Sequence, residues 1–302
     1  MSNGDFWTPA IWMQFNGNPN DKTQPGLLKT TMGPMQVAQH VFPTTVTGND
    51  TSFPADTIDL NSGIPTTGAT RSFATLRKPF TLFPVHVTDP ALNTPSTMGG
   101  TMAANQVTLA AQALALVEDT LFFQGNDAQL PQGGGTSVNL PSGDQAKLDS
   151  GLLGIATTNE VLSVSPRKKG IYGLATYSAV VAGIAQFTTD QQGPPYALIL
   201  SPDIFADANF PLEDEAMVTP ASAIQALLAT GPFVMSPGLP PKTGLLASMG
   251  GKTTTLYVGT QPLVEYNAYD GSVYSFTGRE SIQFLNIDAR SLIKLKFEDA
   301  KP

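Results

Sequence analysis

Three observations predict an α+β fold. Proline and glycine, 25 and 28 residues among 302, punctuate the chain so often that long helices fit in only a few windows. One such window, residues 103–125, reads AANQVTLAAQALALVEDTLFFQG and is apolar on two opposite sides. From residue 233 onward the chain reads as strand after strand, without the regular alternation that builds βαβ units.

Residues 1–43 hold scattered apolar side chains, Trp7 and Trp12 among them, between Asn, Gly and Pro. With no sustained period of 3.6 or 2, this stretch is expected to be an extended arm. Its two tryptophans need burial, against a neighbouring subunit or on the chain's own core. Residues 44–80 suit a long hairpin rich in Thr and β-branched residues. A polar two-stranded ribbon cannot bury a core alone, so it is expected to lie against another chain.

The helix at 103–125 follows. At about 100° per residue, Val107, Ala110, Leu114, Val117 and Leu121 fall on one side and Leu109, Ala113, Leu116 and Phe123 roughly opposite. Thr108, Gln112 and Asp119 form the polar strip, within about 40° of one another. A helix with so little face for water lies between two layers of protein. Gly125 stands where a left-handed cap ends a helix. Glu118 falls on an apolar side, needs a partner there, and is expected to pair with an arginine.

A Gly-rich passage at 132–143 leads to a second helix at 173–188, and Pro194-Pro195 ends that segment. YALIL at 196–200 is a short apolar run of the kind found in buried strands. Ser201 and Pro202 can open a helical turn, and residues 221–229 form another short helix. The strand-rich end comprises FVMSP, GLLASM, TTTLYVG, LVEYNAY, SVYSFTG, ESIQFLNI and SLIKLKF. Asp270-Gly271 is a hairpin signal within it.

Composition narrows the function. A net charge of −8 argues against a dedicated nucleic-acid binder. The absence of cysteine removes disulfides, thiolate metal sites and thiol nucleophiles. The uncharged window at 98–117 has membrane length, but Gly99-Gly100, Asn105, Gln106 and Gln112 argue against a span. Gly250-Gly251-Lys252-Thr253 lacks the leading glycine of a phosphate loop, where Leu246 stands, and reads as a hairpin turn. His40 and His86 are the only histidines, and neither sits in a catalytic or zinc pattern. Glu118 and Asp119 point about 100° apart, wrong for a shared acid/base pair. No catalytic residue, cofactor or metal is therefore assigned. The densest charge run is Asp203, Asp207, Glu213, Asp214 and Glu215, which reads first as a solvated face.

The ordered set LRKPFTL at 76–82, AA at 110–111, LVED at 116–119, FQG at 123–125, GPPYALILSP at 193–202, VGTQ at 258–261, ESIQF at 280–284 and LIKLKF at 292–297 resembles the shell proteins of the Hong Kong 97 fold. In sequence it is most similar to their encapsulin branch. The resemblance implies an N-terminal arm (1–43), an extended loop (44–80), a peripheral domain in two parts (81–155, with a spine helix at 103–124, and 251–302) and an axial domain (156–250). It implies no enzyme but a structural protein, the major capsid protein of a tailed phage, assembled in the host cytoplasm into an icosahedral virion capsid. The alternative is an encapsulin nanocompartment around a cargo enzyme.

Implied partners are the chain itself, as pentamers and hexamers, packaged double-stranded DNA held without sequence specificity, and portal, scaffold and decoration proteins, with no membrane. Trp7, Trp12, Arg71, Arg77, Lys78 and Glu118 are the inter-subunit candidates. The acidic run would lie near an axial opening. Cargo-loading encapsulins begin with a helix that helps form the cargo groove, whereas this front reads as an arm, so no groove residue is carried over. The phage that names the fold crosslinks its shell through a loop lysine, and residues 44–70 contain none. A denaturing gel of mature particles is accordingly expected to give one subunit band, and a ladder of covalent oligomers would contradict this reading.

Overall fold

In a computed structural model, the described residues are 7, 9–18, 20–48, 52–54, 57–58, 65–66, 70–87, 98–125, 137–139, 151–166, 171–211, 219–251 and 254–298. The front of the chain departs from the expected arm. Pro9, pre-set for a first helical position, opens helix α1 (Pro9–Asn16). Strands β1 (Gly17–Asn18) and β2 (Asp21–Pro25) follow, then short helices α2 (Leu27–Met32) and α3 (Val37–Val41). The apolar residues that looked scattered converge in three dimensions. Trp7 is buried and stacks on Phe276 at 4.8 Å between ring centroids, and Trp12 meets the Trp7 edge at 5.0 Å. Asn16 fixes the end of α1 by hydrogen-bonding both the N–H and the carbonyl of Val264, as a neighbouring strand would.

The segment expected as an extended loop begins with β3 (Thr44–Val46). It continues as a thin ribbon in which β4 (Ser52–Pro54) pairs with β7 (Thr70–Ser72) and β5 (Thr57–Ile58) with β6 (Pro65–Thr66), both antiparallel. The chain returns in β8 (Ala74–Leu82). His86 then sits in a single 3-10 turn.

Helix α4 (Met98–Gln124) covers the helix expected at 103–125 and begins five residues earlier, and Gly125 closes it at φ +68°. Val107, Ala110, Leu114, Val117 and Leu121 are all buried, whereas on the opposite side Leu109 is 55% exposed and only Phe123 is fully enclosed. Burial on both sides thus holds for the second half of the helix alone. The expected polar strip behaves likewise, since Gln112 is exposed but Asp119 is buried.

Next come β9 (Ser137–Asn139), α5 (Gly151–Asn159), β10 (Val161–Val164), α6 (Gly173–Thr189), β11 (Tyr196–Leu200), α7 (Pro202–Ala208) and α8 (Pro220–Leu227). The chain ends with β12 (Phe233–Met235), β13 (Thr243–Ser248), β14 (Thr254–Val258), β15 (Leu263–Tyr269), β16 (Tyr274–Asn286) and β17 (Leu292–Phe297).

Two sheets organise these elements. The six-stranded one runs β3-β14-β16-β8-β9, with β15 beside the first half of β16. Gly278 does not divide β16 into two strands, as its sequence suggested; a Cβ there would stand 3.2 Å from Leu114 Cδ1, which shows how closely α4 lies on the sheet. Among the described residues β9 pairs with Thr75–Arg77 of β8, and Pro79 lies beyond that pairing, where its missing N–H breaks no described bond to β9.

The five-stranded sheet runs β10-β17-β13-β11-β12, with β10 parallel to β17. Alternation splits its side chains between two cores. Leu198, Leu200, Leu246, Ile293 and Leu295 meet α6, α7 and α8, while Ala197, Ile199, Leu245, Ala247 and Leu292 join the larger core around α4. The expected grouping of 251–302 as one unit is therefore crossed by β17. Nor is 250–253 a hairpin turn, because β13 and β14 lie in different sheets.

The loop after β12 reaches the spine. Gln124 Nε2 donates to the Gly238 carbonyl at 2.7 Å, and a Cβ at Gly238 would stand 2.8 Å from backbone atoms of Asp119 and Thr120. Gly238→Ala is expected to destabilise the subunit by about 1–3 kcal/mol through overpacking, read as a lower urea midpoint at unchanged slope.

Candidate functional site

The densest polar chemistry in the described residues lies where α3, α4 and β16 meet. Glu118, Asp119, Glu280 and Gln36 are buried together, the three carboxyl residues with no measurable exposure. Their positions follow from local structure. Consecutive residues on α4 send Glu118 and Asp119 to different neighbours. The two-residue period of β16 turns Glu280 inward and Arg279 to the other face, where it pairs with Glu265 at 3.0 Å.

The arginine expected beside Glu118 is thus directed elsewhere, and among the described residues neither Glu118 nor Glu280 has an ion pair. Amides take its place. Gln36 Nε2 donates to Glu118 and, at 3.4 Å, to Glu280 Oε1. Gln39 Nε2 donates to Glu118 Oε1 at 2.9 Å and to Glu280 Oε1 at 3.4 Å. Glu280 Oε2 is buried and, among the described residues, receives no N–H or O–H. The two carboxyls touch each other, and that contact is a hydrogen bond only when one of them carries a proton.

Asp119 serves as a remote cap. Helix α3 has no side-chain cap of its own, and its first N–H groups would be orphans. Asp119 accepts them, from Val37 N at 3.1 Å and Ala38 N at 2.9 Å, and accepts the Ser236 hydroxyl at 3.3 Å. One carboxyl thereby ties the front segment, the spine and the loop after β12 together.

Burial, then the neighbouring Glu280 charge, pushes the Glu118 carboxyl well above its usual range. Burial and the Glu118 charge raise Asp119 to about 8. Burial raises Glu280 to about 7, opposed by its hydrogen bonds and by Lys29. An ionised pair here would be two like charges in an apolar site, so the arrangement holds protons at neutral pH. It suits structural proton storage.

The other candidates separate. Trp7 and Trp12 dock on their own subunit, as described above. Arg71 lies on β7 opposite Phe53, and on β8 Arg77 is exposed while Lys78 is half-buried. Asp203, which is exposed, accepts Lys242 N at 3.1 Å, and the half-buried Asp207 accepts Tyr172 N, so each fastens a loop of its own chain. Glu213, Asp214 and Glu215 lie outside the described residues. Among the described residues no three acidic or histidine side chains form a metal-holding group, and no helix is long and apolar enough to cross a membrane. Sequence reasoning marked Glu118 but missed Gln36, Gln39 and Glu280. The only available signal was an acidic residue within an otherwise apolar strand, at Glu280.

Stability should depend on pH through this cluster. Each raised carboxyl binds its proton more tightly folded than unfolded. Its contribution is complete below the ordinary carboxylate range, declines as pH rises, and is lost above about 7 for Glu280 and about 8 for Asp119. Glu280→Gln removes one such group while keeping its shape. It is expected to exceed the wild type in unfolding free energy above about pH 8 by on the order of 1–3 kcal/mol and to flatten the pH profile, as measured by urea titration across pH.

Comparison with known proteins places this geometry. Residues 147–283 match the family described as "Encapsulating protein for peroxidase". No curated protein matches the sequence. Among solved structures, the chain is similar to a virus-like particle subunit from Pyrococcus furiosus, with 13% identity, a TM-score of 0.61, and 89% of this chain and 97% of that one covered. It is similar to the capsid subunit of Myoviridae phage XM1, with 10% identity, a TM-score of 0.53 and coverage of 87% and 92%. The capsid subunit of a native GTA particle gives 12%, 0.54, 88% and 91%. The chain has the Hong Kong 97-type capsid fold, and residues 147–283 within it are similar to that family of encapsulating proteins.

Proposed function

We propose that this chain is a structural shell protein, the major capsid protein of a tailed phage, which assembles with copies of itself into an icosahedral container for double-stranded DNA. The observation that carries the reading is the near whole-chain likeness to capsid subunits, with 87% of this chain and 92% of the phage XM1 subunit aligned. The antiparallel pairs β4-β7 and β5-β6 support it, because a two-stranded ribbon lacks a core of its own and gains one by lying on a neighbour.

In this reading the six-stranded sheet with α4 is the peripheral domain and the five-stranded sheet with α6, α7 and α8 the axial domain, the division at 251–302 being adjusted for β17. Arg71, Arg77 and Lys78 on the ribbon and its root offer positive charge to a neighbour of this acidic chain. Many modest contacts then give avidity and slow disassembly. The protein does no chemistry, and DNA is enclosed without being read. Pentamers and hexamers, portal, scaffold and decoration partners, and assembly in the host cytoplasm belong to the same proposal.

A second reading, an encapsulin compartment, is favoured by the family match over 147–283 and by α1 at the front, where an arm was expected. Electron microscopy of the expressed protein separates the two. Particles built with hexamers, or holding DNA, are expected for the capsid, and uniform small shells of pentamers alone for the compartment. Subunits that never assemble would overturn both.

A further inference from the structure

We propose that the Glu118–Glu280 pair, with Asp119 beside it and Gln36 and Gln39 above it, is a proton-operated latch that holds the root of the extended loop to the spine helix. The latch is a property of one subunit and goes beyond the shell reading; only its effect on a neighbour's surface rests on that reading.

Both ends of the loop are anchored here. On the outgoing side, α3 is held by Gln36 and Gln39 on the carboxyl pair and by Asp119 at Val37 and Ala38. Two residues after α3 the chain enters β3, a three-residue edge strand, wholly exposed, that pairs only with β14. On the returning side β8 lies against β16, with Leu76 opposite Glu280.

Other titratable and charged groups surround the pair. Asp119 adds a third carboxyl from α4, Lys29 on α2 is the cation that bears on Glu280 while donating to Gln261 at 3.0 Å, and His40 on α3 is exposed. Arg279 is committed to Glu265 on the opposite face. Loss of protons therefore places like charges together with Lys29 as the opposing charge, and Glu280 Oε2 gains no donor in exchange.

Of the three walls, α4 is a 27-residue helix and β16 a 13-residue strand paired along both edges, whereas α3 has five residues and depends on the carboxyls for its cap. The weakest wall moves first. Deprotonation then frees residues 27–47, β3 leaving the edge of the six-stranded sheet while the other strands of both sheets stay paired, and the loop root becomes adjustable.

Hydrogen–deuterium exchange on the wild-type protein, in the assembly state it adopts, tests this at about pH 6 and about pH 9 after correction for the intrinsic rate. Amides in 27–47 are expected to exchange about tenfold faster at the higher pH, with 110–124 and 276–286 unchanged. Glu280→Gln and, independently, Glu118→Gln are expected to reduce that pH dependence. Uniform acceleration of all segments, no acceleration of 27–47, or a pH response surviving both variants would each overturn the latch. These readouts do not need a shell, whereas failure of the shell reading appears as absent particles under the microscope.

Discussion

Everything in this subunit depends on one helix being enclosed from more than one side. The second half of α4 has almost no surface for water, so it must be covered by the six-stranded sheet through Leu114 and Gly278, by α2 through Leu28, and by the loop after β12 through Gly238. Covering it merges the inner face of the five-stranded sheet with the same core. A mixed chain dense in Pro and Gly builds few long helices, and α4, at 27 residues, is the longest of the eight described.

That enclosure creates the site. Asp119 lies on the strip of α4 that would ordinarily meet water, yet it is covered because α3 and Ser236 pack there. A buried acid without a nearby cation is costly as a charge. The cluster lowers that cost by holding protons and by converting acceptors into a cap for α3. A strengthened ion pair would have made the junction permanent, whereas shared protons leave it responsive to its surroundings.

Much of the fold was legible in the sequence. Helix α6, β11 and β15 follow apolar runs whose ends carry their own punctuation, and the ribbon follows from Thr-rich segments with turn residues between them. The front was not legible, because α1, α2 and α3 are too short for a period to register, and their apolar residues converge only on Phe276 and α4. Helix α5 and strand β10 were hidden in the same way. The site was half legible: Glu118 stood out against its apolar face, but its partners come from 82 and 162 positions away, as the hydrogen-bond separation to Gln36 and the residue numbers of the pair give. Charge pairing suggested arginine, and the strand period of β16 sent Arg279 to the other side.

Strand β17 lies between β10 and β13 in the five-stranded sheet. Its neighbours are made long before it, yet they have no hydrogen-bonded path to each other until Leu292–Phe297 arrives. During synthesis, which proceeds from the N-terminus, β10 must wait as an unpaired strand while the rest of the sheet forms. The ordering acts as a clock: a nascent subunit has an incomplete middle sheet, and the surfaces that depend on it acquire their final shape only when the last described strand slides into its central gap.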